Sequence, residues 1–244
     1  MLMKITNLTD HKSKVYSCNV YLIRGGWNAI ADVNTLIDVG NDPAVIDRIR
    51  ATPTGVGKKA IDQVILTHGH FDHAALLPAI REAFDPMVYA HSTFVEADRI
   101  LEDWQKLRCG DRMFEVIHTP GHSSDSICLY CQEDGVLFAG DSPVIITSTD
   151  GSYEENFVRA LERICRKDVK AIYFGHGEPL FDDCNARLRS SLRNVRESLG
   201  RRSVGLPVEP AQKDRQIPSG LASNADLTIR SEQGGSEQRR KGGL

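Results

Sequence analysis

The stretch THGHFDH, residues 67–73, follows directly on the apolar run VIL at 64–66 and sets how the rest of the chain is read. The longer segment IDQVILTH reads as a buried strand, so the polar side chains of 67–73 emerge where a strand ends and a helix begins. His68 and His70 are two apart, and an extended backbone puts both imidazoles on one side, within reach of one metal ion at about 2.0–2.1 Å. The next turn brings Asp72 and His73 close enough to bind a neighbouring ion. Placing three imidazoles and a carboxylate at a buried strand end is costly unless something compensates for their desolvation, and a metal does so. The plainer readings are a His-rich surface loop or one core histidine with a hydrogen-bonded partner. The chain has eight histidines, three of them in these few residues, and that concentration favours the metal.

Composition frames this segment. With 244 residues, 41% hydrophobic and 26% charged, the chain can build one globular domain with a substantial core. A net charge of -3 gives no general attraction to nucleic acid or anionic lipid, so neither is the expected partner. The N-terminus lacks the continuous apolar stretch of a secretion signal, and no run of about 18 apolar residues spans a membrane. A cytoplasmic protein is expected. Six cysteines scattered through a chain of this size read as free thiols in a reducing compartment. Cys128 and Cys131 form a CxxC, but SICLYC looks like a strand, which points these thiols to opposite faces, and a packing role is expected.

Further strands are expected at CNVYLI (18–23), NAIADV, TLIDVG, MVYAH, FEVIHT, SICLYC, GVLFAGD and VKAIYFGHG. Helical spacing marks AVIDRIRAT, with Asp42 as N-cap and Pro43 in the first turn, and HAALLPAIREAF, where Pro78 is an oddity. It also marks STFVEADRILEDWQKL (92–107), SYEENFVRALERICRK with Phe157, Ala160, Leu161 and Ile164 on one face, and a last helix over about 182–199. Residues 1–199 are thus expected to form the domain. Residues 200–244, rich in Gly, Ser, Gln, Pro and charge, are expected to be a mobile tail. GVGK at 55–58 lacks the spacing and the Ser/Thr of a phosphate loop and reads as a plain loop. His118, inside a strand, and His91, at a strand end, read as packing or supporting residues rather than ligands.

T-H-x-H-x-D-H after an apolar strand resembles the signature of the metallo-β-lactamase superfamily, and the remainder of the family pattern is present in order. His122 lies in TPGHSSDSICLY, Asp141 in GVLFAGD and His176 in AIYFGHGEP. The resemblance covers about residues 16–180. It implies an α/β fold, an αββα sandwich in which two mixed sheets pack face to face with helices on the outer faces and metals at one edge. It also implies that His68, His70 and His122 hold one metal, that Asp72, His73 and His176 hold a second, and that Asp141 bridges them. Asp72 would in addition orient the nucleophile as the catalytic residue. The implied cofactors are two divalent ions, zinc foremost, with iron or manganese compatible with the same imidazole and carboxylate donors.

Two such ions roughly 3.5–4 Å apart generate a metal-bound hydroxide near neutral pH, so a metal-dependent hydrolase is expected. The chain resembles glyoxalase-II-like and lactonase-like enzymes more than the nucleases, which points to an ester, thioester or lactone of a small molecule. It departs from glyoxalase II in two places: HAAL stands where many relatives have His-Gly-Gly, and GDSPVIITSTDGSYEE lacks a Gly-Arg-rich segment. A glutathione substrate is therefore not expected. Ile145, Ile146, Tyr153 and Phe157 are candidates for apolar pocket walls. A mononuclear-iron sulfur dioxygenase, a phosphodiesterase and a non-catalytic binding protein are the alternative readings, and a homo-oligomer is left open.

Overall fold

Alternation along the apolar runs creates the layers. Leu22 packs to one side of its strand while Tyr21 and Ile23 pack to the other, and Leu36/Ile37 and Val64/Ile65 repeat the division. A strand covered on both faces reads as a continuous apolar run, as these do. The computed structural model describes residues 3–10, 12–92 and 96–203. Its elements in chain order are β1 (Lys4–Asn7), β2 (Tyr21–Arg24), β3 (Thr35–Ile37), α1 (Ala44–Ala51), β4 (Gln63–Ile65), α2 (Phe71–Ala74), α3 (Leu77–Phe84) and β5 (Met87–Ala90). They continue with β6 (Arg99–Ile100), β7 (Lys106–Cys109), β8 (Arg112–His118), β9 (Ile127–Cys131), β10 (Val136–Gly140), α4 (Glu155–Cys165), β11 (Ala171–Phe174) and α5 (Cys184–Ser203).

Two mixed sheets result. The first has the order β1-β2-β3-β4-β5-β6, antiparallel through β3 and parallel from β3 to β6. The second has the order β11-β10-β9-β8-β7, antiparallel except for the β10–β11 pair. Tyr21, Ile23, Ile37 and Ile65 of the first sheet meet Phe114, Leu129 and Phe138 of the second in the central layer. Val45 and Ile49 of α1 and Ile80 of α3 cover the outer face of the first sheet, and Leu161, Ile164, Leu188 and Val195 of α4 and α5 cover that of the second. The expected αββα sandwich is the fold.

Some local expectations change. No helix spans 92–107: residues 93–95 lie outside the described residues, and the rest holds β6, a turn and the start of β7. Tertiary hydrogen bonds override helical spacing here, since Asp98 and Leu101 donate their backbone N–H to Val88 and Ala90, and Trp104 to Val116. Trp104 also has φ +70°, which no helix accommodates. NAIADV is a loop with only a bridge at Val33 to Gly110. HAALLPAIREAF splits into α2 and α3, which places Pro78 in the first turn of α3, where its missing N–H is harmless. Pro43, not Asp42, is the N-cap of α1, although the Asp42 carboxylate does accept the Ala44 N–H.

Strands β1 and β7 were not anticipated. Helix α5 continues through Ser203, and the remainder of the expected tail, 204–244, lies outside the described residues. Cys128 and Cys131 fall on opposite faces of β9, one toward the helices and one toward the other sheet, and all six cysteines are free. Among the described residues no helix is long and apolar enough to cross a membrane.

Candidate metal centre

The site forms at the edge where β3, β4, β8, β10 and β11 end. Asp38, just past β3, takes a left-handed backbone (φ +58°) that turns its carboxylate toward the end of β4. There its Oδ1 accepts the Thr67 N–H at 2.7 Å and its Oδ2 accepts the Thr67 hydroxyl at 2.9 Å. This pins the exit of β4 and aims His68 and His70 at the edge. The chain then enters the one-turn helix α2, which carries Asp72 and His73. His122 comes from the loop between β8 and β9, Asp141 directly after β10, and His176 after β11. Gly140 makes the approach of β10 feasible: it has φ +52°, and a Cβ there would stand 2.7 Å from the Thr67 hydroxyl.

All seven residues singled out in the sequence meet. Donor atoms of His68, His70 and His122 lie within 4.8 Å of one another, and so do those of Asp72, His73, Asp141 and His176. Asp141 stands between the groups, its Oδ2 at 3.5 Å from both His122 Nε2 and His176 Nε2 and its Oδ1 at 3.3 Å from His73 Nε2. His176 Nε2 is 2.9 Å from Asp72 Oδ2. His91 and His118 stay apart: their rings meet at a 34° tilt with centroids 4.1 Å apart, while their nitrogens meet the carbonyls of Leu101 and Ser124.

The arrangement fits cations. Among the described residues His68 Nε2, His73 Nε2 and Asp141 Oδ1 are buried without a hydrogen-bond partner, a condition costing about 1–3 kcal/mol per group unless another species satisfies it. Gly175 leaves the space: a Cβ there would stand 2.1 Å from Asp141 Oδ1 and 2.7 Å from His73 Cε1. Burial, reinforced by the charge of His73, pushes His68 down to about 4 and so keeps it neutral, as a ligand must be. Burial also lowers His122, against the pull of Asp141. Burial works strongly against a charged His73 as well, but Asp38, Asp141 and Cys18 together outweigh burial and raise the group. Asp141 is held down at about 2: burial opposes this, and the contact with His73 prevails. Five imidazoles and two carboxylates form an N/O donor set that suits zinc, iron or manganese alike.

Sequence reading missed Asp38 and the buried Cys18, which group with His73. A signal for Asp38 existed, since TLIDVG is close in form to GVLFAGD: an apolar strand, then a carboxylate within two residues of glycine. Of the expected pocket walls, Tyr153 and Phe157 line a cavity against His122 and Asp141, and Ile145 lines a second. Ile146 lines neither of these; its backbone is tied to Ser191 and Asn194, and its side chain packs into the core.

The sequence profile of the metallo-β-lactamase superfamily matches residues 13–176, a span that includes every one of the seven donors. The chain belongs to this superfamily. Among metallo-β-lactamase superfamily relatives, an atrochrysone carboxyl ACP thioesterase of Aspergillus fumigatus is 24% identical over 86% of this chain and 66% of its own length. A hydroxyacylglutathione hydrolase of Rhizobium etli is 28% identical over 66% of this chain and 64% of its own length. The chain thus spans about two thirds of the length of these relatives. Two solved structures share the fold: ETHE1 from Myxococcus xanthus (TM-score 0.60, 21% identity, 85% of this chain and 92% of that one) and the flavodiiron protein from Giardia intestinalis (0.60, 20%, 81% and 58%).

Proposed function

We propose that this metallo-β-lactamase superfamily protein is a metal-dependent hydrolase of acyl thioesters. The observation that carries the reading is a cavity of about 360 Å³ set directly against His122 and Asp141 and walled by Gly121, Pro143, Ser152, Tyr153, Glu154 and Phe157. Its Pro143, Tyr153 and Phe157 side offers an apolar seat for an acyl group beside the carboxylate that stands between the two donor clusters. His68, His70 and His122 would hold one divalent cation and Asp72, His73 and His176 the other, with Asp141 shared. When bound, such a pair activates water and polarises a carbonyl. Asp72, whose Oδ2 lies 2.9 Å from His176 Nε2, would also orient the attacking water. The stacked rings of Tyr153 and Phe157 exclude solvent from the acyl group and hold the carbonyl carbon toward Asp141. The thioester reading over an ester or lactone draws on the two relatives, whose names describe thioester hydrolysis.

The test is a turnover panel of thioesters, lactones, β-lactams and phosphodiesters, with protein reconstituted separately with Zn, Fe and Mn. Acyl thioesters are expected to turn over fastest. Hydrolysis confined to phosphodiesters, or oxygen consumption on a persulfide with one iron per chain, would replace this reading.

A further inference from the structure

Helix α5 has a composition unlike the rest of the chain. From Cys184 to Ser203 it carries six arginines and one glutamate, a net of five positive charges in a protein whose total is -3. Its apolar side, with Leu188 and Val195, is used against α4 and the second sheet, so packing accounts for those residues but not for the arginines. Arg189, Arg193 and Arg196 follow each other at four- and three-residue intervals and so form one stripe. With Arg166 at the end of α4 they rim a groove of about 700 Å³ whose floor includes Cys165 and Leu192. Glu162 and Glu197 also line it, which leaves the groove a net of two positive charges. Arg196 is paired with Glu162 at 2.7 Å.

Charged arginines elsewhere on this face are neutralised: Arg163 is gripped by Asp103 and Glu115, and Arg159 by Glu155. Arg166, Arg189 and Arg193 have no carboxylate within ion-pair distance among the described residues. A cluster of unneutralised guanidinium groups around an apolar floor complements an acidic, amphipathic protein surface. Nucleic acid is the poorer fit, because no aromatic side chain lines the groove to stack a base.

Residues adjacent in sequence relate the groove to the acyl pocket. Glu162 and Arg166 line both the groove and an adjoining cavity of about 500 Å³, which also takes in Pro120 and Asn156. The next residues, Gly121 and Phe157, wall the acyl pocket. Along α4 the step from Arg166 to Phe157 is nine residues, roughly 14 Å. A macromolecule seated on the arginines therefore reaches the metal centre only through an extended arm that follows this track.

Building on the thioester reading, we propose that the α4/α5 arginine groove docks an acidic carrier protein that delivers its acyl group on a flexible thioester arm. The bulk of the carrier stays on the groove while the arm passes beside Asn156 and Pro120 to the pocket.

The test uses the reconstituted full-length enzyme and the Arg189→Glu/Arg193→Glu variant, both exposed positions away from the metal centre. One octanoyl group is offered in two forms, on a bacterial acyl carrier protein and on N-acetylcysteamine. The reversal is expected to lower kcat/KM for the carrier-bound form by roughly 10–100-fold, mainly through KM, and to leave the free thioester within about twofold of the parent. Raising salt from about 50 to 300 mM should weaken the parent on the carrier-bound form and have little effect on the variant. Equal loss on both forms, or no loss on either, overturns the docking surface. So does a charge reversal that dissociates a dimer by sedimentation or abolishes RNA binding instead. Failure of the parent enzyme on both thioesters is a different result, because it removes the thioester reading itself.

Discussion

His73 holds its Nδ1 at 2.9 Å from Asp38 Oδ2, and both side chains are closed off from solvent. The same carboxylate receives the Thr67 N–H and hydroxyl, so one buried group fixes the end of β4 and the direction of a ligand histidine. With Nδ1–H committed to Asp38, His73 Nε2 is the nitrogen left to face the site. A cation held by Nε2 would complete the order carboxylate, imidazole, cation.

Asp38→Asn should keep the fold and damage the site. An amide cannot balance the imidazole as a carboxylate does, and its NH2 would face the Thr67 donors or the ring. Affinity for the cation near His73 is expected to fall roughly 10–100-fold, with turnover falling in parallel. Metal titration followed by elemental analysis reads this directly. Unchanged occupancy would show that Asp38 serves only the backbone of β4.

Gly175→Ala tests space rather than charge. The added methyl would overlap Asp141 Oδ1 at 2.1 Å, and the carboxylate must leave its place between the donor clusters. Activity is expected to drop by more than about 100-fold, the scale for loss of a group that organises a reacting centre, with circular dichroism unchanged. A variant with normal kcat would mean that Asp141 is free to move during turnover.

Metal removal should be visible in stability as well as activity. The unpartnered atoms His68 Nε2, His73 Nε2 and Asp141 Oδ1 are present in the native state only, so cations bind the folded chain preferentially. At about 1,000 times Kd, bound metal contributes about 4 kcal/mol, which corresponds to roughly 8–16 °C in Tm for a domain of this size. Differential scanning fluorimetry with a chelator, then with metal added back, measures the shift; no shift would argue against cation binding at these atoms.

The thiols should be inert. Burial pushes Cys18 and Cys109 up to about 12 and Cys128 and Cys165 up to about 11, so they are protonated throughout the neutral range and form thiolate only as pH rises toward those values. Native protein at pH 8 is expected to give no fast reaction with a disulfide reagent, and all six thiols should react after denaturation. Rapid modification of Cys128 and Cys131 together would restore a redox role for the CxxC pair.

The sequence by itself determined the metal-centre candidates and most of the strands, and its family resemblance implied the layer order. Five of the seven donors (His68, His70, His122, Asp141 and His176) sit beside glycine and Asp72 and His73 belong to the same compact run as the first two, which are local features; the resemblance of that run to the family signature is what joined the later three to it. The two-sided burial of segments such as ICLYC and VLFAG is local too, because it shows as uninterrupted apolar residues. Tertiary structure alone decided matters that depend on distant partners. Residues 96–107 have helical spacing but lie along the edge of β5 and beside β8, where strand hydrogen bonds outweigh a weak intrinsic preference. Asp38 became a support for His73 only once β3 and β4 lay side by side, and the arginines of α5 became a groove only once α4 packed against it, since charge is written in sequence but its geometry is set by packing.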